Sequence, residues 1–187
     1  MSVIPPIPYT VALLTVKDEK KEGNITTVIW VGTFSQAPFI LGVALKKKRY
    51  SYGLIKKYKE FGINIPSAKN LVDADFCGYT SGSSVDKFRE TSFTPVPAKK
   101  INAPMIKECP VRLECKLLEI KEFPDHDLIT GEVIHAEIDP SVLDENGNLD
   151  LAKLDPIIAS LSGRTYHRIG EKIGEWGISI KERGKNA

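Results

Sequence analysis

Strands rather than helices are predicted by the hydrophobic pattern in the first third of the chain. Residues 9–17 and 24–33 are rich in β-branched and aliphatic side chains, and the charged turn at 18–23 between them predicts a hairpin. Residues 38–45 (PFILGVAL) form a continuous apolar run, which is typical of a strand buried on both faces. A further short strand is predicted over 60–65. Together these segments predict a sheet that is built early in the chain.

The rest of the chain adds strands and a few short helices. Further strands are predicted over residues 111–123, 128–138 and 176–180. Helices are predicted over residues 51–59, 67–75, 84–90 and 149–159. Ser51 and Ser67 stand at positions typical of N-caps, whereas Pro156 interrupts the last of these helices. Many strands without a regular strand–helix alternation indicate a barrel or a sandwich and argue against a doubly wound sheet.

Length and composition indicate an ordinary globular protein. The 187 residues are the usual size of one domain, and we expect a single domain over 1–187. The formal net charge of +2 gives no indication of a nucleic-acid or membrane partner, and no apolar run approaches the roughly 18 residues of a membrane span. The first residues lack the basic-then-apolar pattern of a secretory signal, and three cysteines do not indicate a disulfide framework. A cytoplasmic location is therefore expected.

The usual phosphate-binding loops are missing from the sequence, because neither GxxxxGKS/T nor GxGxxG after a strand occurs. A nucleotide would therefore have to be bound by side chains and barrel backbone. Residues 46–52 (KKKRYSY) follow the apolar strand and open a predicted helix, where a phosphate would meet cations, the Ser51 hydroxyl and free backbone amides. The alternative is a solvated basic strand end.

Two further segments have the residue types of a ligand-binding wall. In NITTVIWVG, the side chains of Thr26, Val28 and Trp30 would share one strand face, and a hydroxyl beside a large ring suits a flat aromatic ligand. Alternatively, Trp30 packs in the core. The segment at 76–88 (FCGYTSGSSVDKF) is a small polar loop that leads into a helix with Lys87, a cation able to neutralise an anionic reduced cofactor. The alternative is an ordinary surface connection.

Metal and nucleophile chemistry is only weakly indicated. Cys109 and Cys115 lack a CxxC spacing or a matching histidine pair, which argues against a zinc site. Cys77 is either a reactive thiol or a small buried hydrophobe. His126 lies between two acids, which would favour its charged form, and is either a structural turn residue or a group at the mouth of a site. The GxSxG nucleophile elbow does not occur.

Taken in order, these segments resemble the flavin reductase-like family of FMN-binding split barrels, and particularly its flavoredoxin branch. The resemblance runs from about residue 8 to about residue 178. It is carried by the segments NITTVIWVG, PFILGVAL with KKKRYSYGLI after it, FGINIPS, DFCGYTSGSSVDKF, APMIKECPVRLEC, DHDLITGEV, LDLAKLDPII and YHRIGEKIGEWG. Each segment alone is not diagnostic, whereas their order and spacing together are specific.

The resemblance implies a mainly β fold with added helices, namely a six-stranded, Greek-key-like antiparallel split β-barrel. It also implies a homodimer with FMN at or near the subunit interface. The residues that it assigns to the cofactor are Thr26, Thr27 and Trp30 beside the isoalloxazine, Arg49, Tyr50 and Ser51 beside the phosphate and ribityl chain, and Ser81, Gly82 and Lys87 from the next loop and helix. The candidate catalytic residues are Lys87, close to the flavin, and His126, which lies with Tyr166 on the side of a second substrate.

The implied function is flavin-mediated electron transfer from NAD(P)H to an acceptor, of the flavin reductase or ferric reductase type. An alternative is a flavoredoxin-like carrier that accepts electrons from a redox protein partner, and a third is a non-redox ligand-binding barrel. Trp30 departs from the family pattern, because many relatives have serine at the matching position. This departure leaves the second substrate open.

Overall fold

Seven strands form the main sheet of the molecule, which a computed structural model describes over residues 4–182. The strands, in chain order, are β1 (Pro8–Thr10), β2 (Ala12–Val16), β3 (Asn24–Val28), β4 (Val31–Gln36), β5 (Phe39–Leu45), β6 (Glu60–Ile65), β7 (Pro95–Val96), β8 (Met105–Ile106), β9 (Val111–Lys121), β10 (Asp127–Ile138), β11 (Ile157–Ser160) and β12 (Thr165–Arg168). The helices are α1 (Tyr50–Tyr58), α2 (Leu71–Tyr79), α3 (Lys87–Glu90), α4 (Leu151–Leu154) and α5 (Ile178–Glu182).

The main sheet is antiparallel throughout and follows the order β3-β2-β6-β9-β10-β5-β4. Its edge strands, β3 and β4, are consecutive in the chain and are separated only by Ile29 and Trp30. Because two residues cannot span a flat sheet of this width, the sheet curls until its edges approach. At this junction, which we call the seam, the Ala44 N–H donates to the Trp30 carbonyl at 2.9 Å. The result is a split barrel.

The prediction of a mainly β split barrel with added helices is confirmed, but the described main sheet has seven strands rather than six. Residues 24–33, predicted as one strand, break at the seam into β3 and β4. Residues 9–17 break in the same way at Val11, because β1 leaves the main sheet and pairs with β11. In the described residues, β1, β11 and β12 form a separate three-stranded sheet, and β7 pairs with β8.

Strand β2 is buried on both faces, between two apolar clusters. Its residues Ala12, Leu14 and Val16 belong to the cluster inside the barrel, which β5, β6 and α1 complete. Leu13 belongs instead to a second cluster, which covers the outside of β2 and β3 with side chains from α2 and β11. Alternate residues of one strand therefore join different cores, and β2 and β3 are held in place from both sides.

Two predicted elements differ in kind from the structure. Residues 149–159 are predicted as one helix, but α4 ends at Leu154, Asp155 takes a left-handed conformation with φ 49°, and β11 follows. Pro156 has no N–H to continue the helix. Residues 176–180 are predicted as a strand, but Gly177, with φ 81°, forms a turn that leads into α5.

The remaining helices differ from their predictions at the ends. Helix α1 begins at Tyr50 with Arg49 as its N-cap, so Ser51 lies in the first turn rather than at the cap. A 3-10 turn at Ala68–Asn70 precedes α2, and α3 is confined to four residues. None of the helices described over residues 4–182 combines the length and the apolar character needed to cross a bilayer.

Candidate functional site

A cavity of about 960 Å³ opens between the seam, the start of α1 and the loop before α3. Ligand pockets of this kind usually measure about 300–1,000 Å³, so the cavity has room for a nucleotide-sized ligand. The predicted site residues that line it are Thr26, Thr27, Trp30, Arg49, Tyr50, Ser81, Gly82, Lys87, His126 and Tyr166. The fold therefore brings together side chains that are up to 140 positions apart in sequence.

Ser51 is the predicted site residue that the described structure places behind the cavity wall. Its side chain is fully buried, and its Oγ accepts a hydrogen bond from Asn24 Nδ2 at 2.7 Å and lies 2.5 Å from Thr26 Oγ1. Because α1 starts at Tyr50, residue 51 faces the barrel rather than the solvent. Ser51 supports Thr26 and Asn24 from below, and its hydroxyl is already occupied.

One wall of the cavity is basic. Lys46, Lys48 and Arg49 line it at the end of β5 and the start of α1. Arg49 Nη1 donates to the Gly78 carbonyl at 2.9 Å, and Lys46 Nζ lies 3.3 Å from Asp125 Oδ1, whereas Lys47 turns away to Glu122 at 2.8 Å. The α1 N-terminus carries no acid in its first turn, and none of the described side chains caps it. Unpaired N–H groups at a helix start beside cations attract an anion.

Aromatic rings form another part of the lining. The Trp30 and His126 ring centroids are 4.3 Å apart at an interplanar angle of 58°, and the Tyr9 ring lies 6.4 Å from Trp30. The buried Trp30 Nε1 has no hydrogen-bond partner among residues 4–182. An unsatisfied buried donor costs about 1–3 kcal/mol, so an acceptor on a ligand would be stabilising there.

Two adjacent threonines of β3 both reach the cavity. The prediction that Thr26, Val28 and Trp30 share a strand face does not hold in full, because β3 ends at Val28 and Trp30 lies beyond it. Thr26 and Thr27 both contact the cavity, and the Thr27 hydroxyl also donates to the Ala74 carbonyl of α2. The hydroxyls of Thr26 and Thr27 are therefore held in position by hydrogen bonds to residues behind the cavity lining.

Lys87, the first residue of α3, lies beneath the cavity with only 2% of its surface exposed. Its Nζ donates to the Ile25 and Cys77 carbonyls, each at 2.7 Å. Burial, helped by the positive charges of Arg49 and Lys21 and opposed by Cys77, lowers the pKa of Lys87 to about 8. An ammonium has three donors, so one N–H of the protonated form remains for a ligand.

His126 is half-buried, and its Nδ1 lies 2.6 Å from Asp125 Oδ2. Burial lowers the pKa of His126, although the Asp125 carboxylate opposes this shift. Asp125 does favour the charged form, as expected from the sequence for an acid close enough to the ring, but desolvation outweighs this carboxylate. The net shift favours the neutral imidazole.

Tyr166 of β12 lies at the mouth of the cavity, and its hydroxyl donates to Asp75 Oδ1 at 2.7 Å. Burial, followed by this bond to Asp75, raises the pKa of Tyr166. Arg164, in the turn before β12, also lines the cavity, and it was not predicted from the sequence. No strand is predicted around residues 165–168, and the family resemblance pointed to Tyr166 but not to Arg164.

The glycine at position 82 allows its loop to pack tightly beside the site. A Cβ on Gly82 would lie 1.8 Å from Asn24 Oδ1 and 2.9 Å from Tyr50 Cδ1. Since neither distance is sterically allowed, only glycine lets this loop approach β3 and α1 so closely. The neighbouring Ser81 is exposed on the loop and bonds Ser83 Oγ at 2.8 Å.

The three cysteines do not contribute reactive thiols to this site. All three are buried as free thiols. Burial raises the pKa of the Cys77 thiol to about 12, so Cys77 is a small core residue at neutral pH.

Comparison with known proteins identifies the family. Residues 4–168 match the family described as flavin reductase like domain. The chain belongs to this family. As a member of the flavin reductase-like family, it is similar to two solved flavoredoxins, from Methanosarcina acetivorans (TM-score 0.87, 29% identity, 98% of each chain covered) and from Desulfovibrio vulgaris (TM-score 0.85, 32% identity, 90% of this chain and 91% of that chain).

Sequence relatives of this family member come from archaea and bacteria. An uncharacterized protein of Pyrococcus abyssi is 38% identical over 121 residues, which are 65% of this chain and 69% of that protein. For the Pyrococcus abyssi protein and three other relatives, which are 31 to 39% identical to this chain, the match covers 48 to 69% of the relative's length. The chain thus spans only part of several of these relatives.

Proposed function

We propose that this chain binds FMN non-covalently in the described cavity and passes electrons through it, taking them from NAD(P)H. The observation that carries the proposal is the cavity itself, whose lining combines a basic wall at the start of α1 with aromatic rings and hydroxyls. The solved flavoredoxins to which the chain is similar support the same class of function.

The donor set of the cavity fits FMN. Arg49, Lys48 and the free N–H groups at the start of α1 suit a phosphate dianion. The unpartnered Trp30 Nε1 and the third N–H of Lys87 are donors, whereas the carbonyl oxygens and ring nitrogens of an isoalloxazine are acceptors. The lining therefore has cations for the phosphate and buried donors for the ring system.

The residues of the chain would bind, orient and tune the cofactor, which itself supplies the hydride and one-electron chemistry. Thr26, Thr27 and Trp30 would hold the ring, and Arg49 and Tyr50 the phosphate end. Ser81 and Gly82 would form the side of the loop next to it. A protonated Lys87 would favour added negative charge on the ring system, while His126 and Tyr166 would face the second substrate.

A flavoredoxin-like electron carrier, fed by a redox protein partner, is the second candidate. The specific observation in its favour is that both solved structures described above are flavoredoxins, one of them similar over 98% of each chain. Under this alternative the cofactor and its binding residues are unchanged, and only the electron donor differs.

Two measurements test the proposal. Titration of the apoprotein with FMN should quench the flavin fluorescence and release heat, and the absence of both would refute flavin binding. Anaerobic mixing of the loaded protein with NADH and with NADPH should then bleach the flavin absorbance rapidly. Slow bleaching by both nucleotides would favour the carrier over the reductase.

We also propose a cytoplasmic homodimer. Large apolar side chains near the end of the described region support the dimer, since Ile173 is 93% exposed and Trp176 is completely exposed. Exposed apolar groups of this size commonly mark protein interfaces. Light scattering after size exclusion should give twice the chain mass, and a monomer at micromolar concentration would contradict the dimer.

A further inference from the structure

The turn at residues 18–23, which we call the hairpin turn, contacts two walls of the cavity without lining it. It joins β2 to β3 and carries a lysine, Lys21, whose Nζ donates to two backbone carbonyls. These are the carbonyl of Gly82 and that of Val85, the latter at 2.8 Å. Both belong to residues 80–86, which we call the serine loop and which form one side of the cavity.

The hairpin turn also holds the start of α1. The Tyr50 hydroxyl donates to Asp18 Oδ2 at 2.9 Å, and the Lys20 N–H donates to Asp18 Oδ1 at 3.1 Å. Asp18 is buried, and each of its two carboxylate oxygens accepts one of these hydrogen bonds. Tyr50 lines the basic wall, which is therefore tied to the same turn as the serine loop.

The serine loop and the basic wall are already in contact across Gly82. A Cβ there would meet both Asn24 and Tyr50, so the loop cannot move closer to β3 or to α1. On its other side the loop is closed by its own backbone, with Ser84 and Val85 N–H groups donating to the Ser81 carbonyl. Lys21 thus fastens a self-contained loop to the barrel through charge-assisted bonds.

We propose that Lys21 and Asp18 are positioning residues, which set the spacing between the basic wall and the serine loop before a ligand arrives. This inference rests on the proposed binding of FMN. Because an anion is bound most tightly by donors that do not have to be ordered on binding, the two residues would determine affinity for the phosphate end of the cofactor. The isoalloxazine end, which would lie against the seam, would be affected much less.

The test compares FMN with riboflavin, which has the same ring system and no phosphate. In Lys21→Met, the Kd for FMN should rise about tenfold, since two bonds to the serine loop are lost, while the Kd for riboflavin should change less than about twofold. Lys21→Arg should restore much of the FMN affinity, because a guanidinium also has several donors. Lys20→Met, on the exposed neighbour in the same turn, is the matched control and should leave both constants unchanged.

Each outcome decides the matter. An unchanged FMN Kd in Lys21→Met would overturn the inference, and so would an equal loss of FMN and riboflavin, which is the result expected of general unfolding. Should Lys21→Met fail to fold, Asp18→Asn weakens the bond from Tyr50 in a shape-conserving way and should shift the FMN-to-riboflavin ratio in the same direction. Wild-type protein that binds neither flavin would refute the proposed function first, and that result is distinct from a failure of the variants alone.

Discussion

At the residue scale, the described cavity is distinguished by buried polar groups that are only partly satisfied. Lys87 bonds two carbonyls and retains a third donor, whereas the Trp30 indole N–H has no partner among the described residues. Ser51, which looked like a direct ligand from sequence alone, has its hydroxyl occupied by Asn24 and Thr26. The prediction for Ser51 differs from the structure because the burial of a side chain depends on the direction in which it faces. Helix α1 begins one residue earlier than predicted, and this turns Ser51 towards the barrel.

The buried charge of Lys87 predicts an unusual pH dependence of stability for the apoprotein. Its pKa is lowered to about 8, while an exposed lysine in the unfolded chain titrates near 10.4, so between these values the unfolded state binds more protons. The free energy of unfolding should therefore rise with pH from about 8 to about 10 through this group. Urea denaturation at several pH values should show this rise in the wild type and its loss in Lys87→Met. An identical pH profile for the two proteins would contradict it.

The same cation should raise the reduction potential of bound FMN. Replacing it in Lys87→Met removes an attraction of about 1.4 kcal/mol or more, which corresponds to about 30 mV for two electrons. Potentiometric titration of the loaded proteins at pH 7 should show the decrease. Lys107→Met, at an exposed position that does not line the cavity, should leave the potential unchanged. Unchanged potential and unchanged FMN affinity in Lys87→Met would remove Lys87 from the site.

At the scale of elements, local composition predicted strands well and helix ends poorly. The runs that became β5, β6, β9 and β10 are rich in β-forming residues, and each became a single strand, so their pattern was sufficient. The breaks inside 9–17 and 24–33 have no local signal, because each segment keeps its β-forming composition while its two halves join different sheets or different edges. Such breaks are determined by tertiary pairing, which a single sequence does not show.

Two glycines in neighbouring elements should respond in opposite ways to alanine. Gly82→Ala places a methyl group against Asn24 and Tyr50, and should cost about 1–3 kcal/mol of stability and weaken FMN binding. Gly53 lies exposed in α1 with nothing within 4 Å of its added Cβ, so Gly53→Ala should stabilise the protein by up to about 1 kcal/mol. Thermal unfolding of both variants checks the pair, and equal effects of the two substitutions would contradict the packing explanation.

At the scale of the whole molecule, the resemblance to a known family predicted the architecture, and ten of its site residues meet at one cavity. What remained hidden were contributions from distant turns, such as Arg164 and Lys21, whose place depends on how the sheet curls. The segment at residues 97–106 is a similar case. It is held against the barrel by Glu60 and Glu114, which accept hydrogen bonds from the backbone N–H groups of residues 99, 100 and 102.

The hydrogen bonds that Glu60 and Glu114 accept from residues 97–106 predict that the protein is less stable in acid. Burial alone would raise the pKa of Glu60, but the bonds from Lys116 and Asn102 outweigh it and hold that pKa below the usual value. The stabilisation is therefore complete above about pH 4.5 and is lost as pH falls through the native-state pKa. Glu60→Gln should cost about 1–3 kcal/mol at pH 7 and progressively less towards pH 3 in urea unfolding. A cost that does not vary with pH would contradict this assignment.

The seam has a mechanical consequence. Because β3 and β4 follow each other in the chain yet close the barrel from opposite edges, any molecule held at Ile29 and Trp30 rests on the line along which the cylinder would unroll. A ligand bound there would hold the two edge strands together. Substitutions that widen the opening for a larger ligand would therefore also weaken the closure of the barrel. A larger pocket in this fold is therefore limited by the stability of the barrel as much as by the chemistry of the residues that line the pocket.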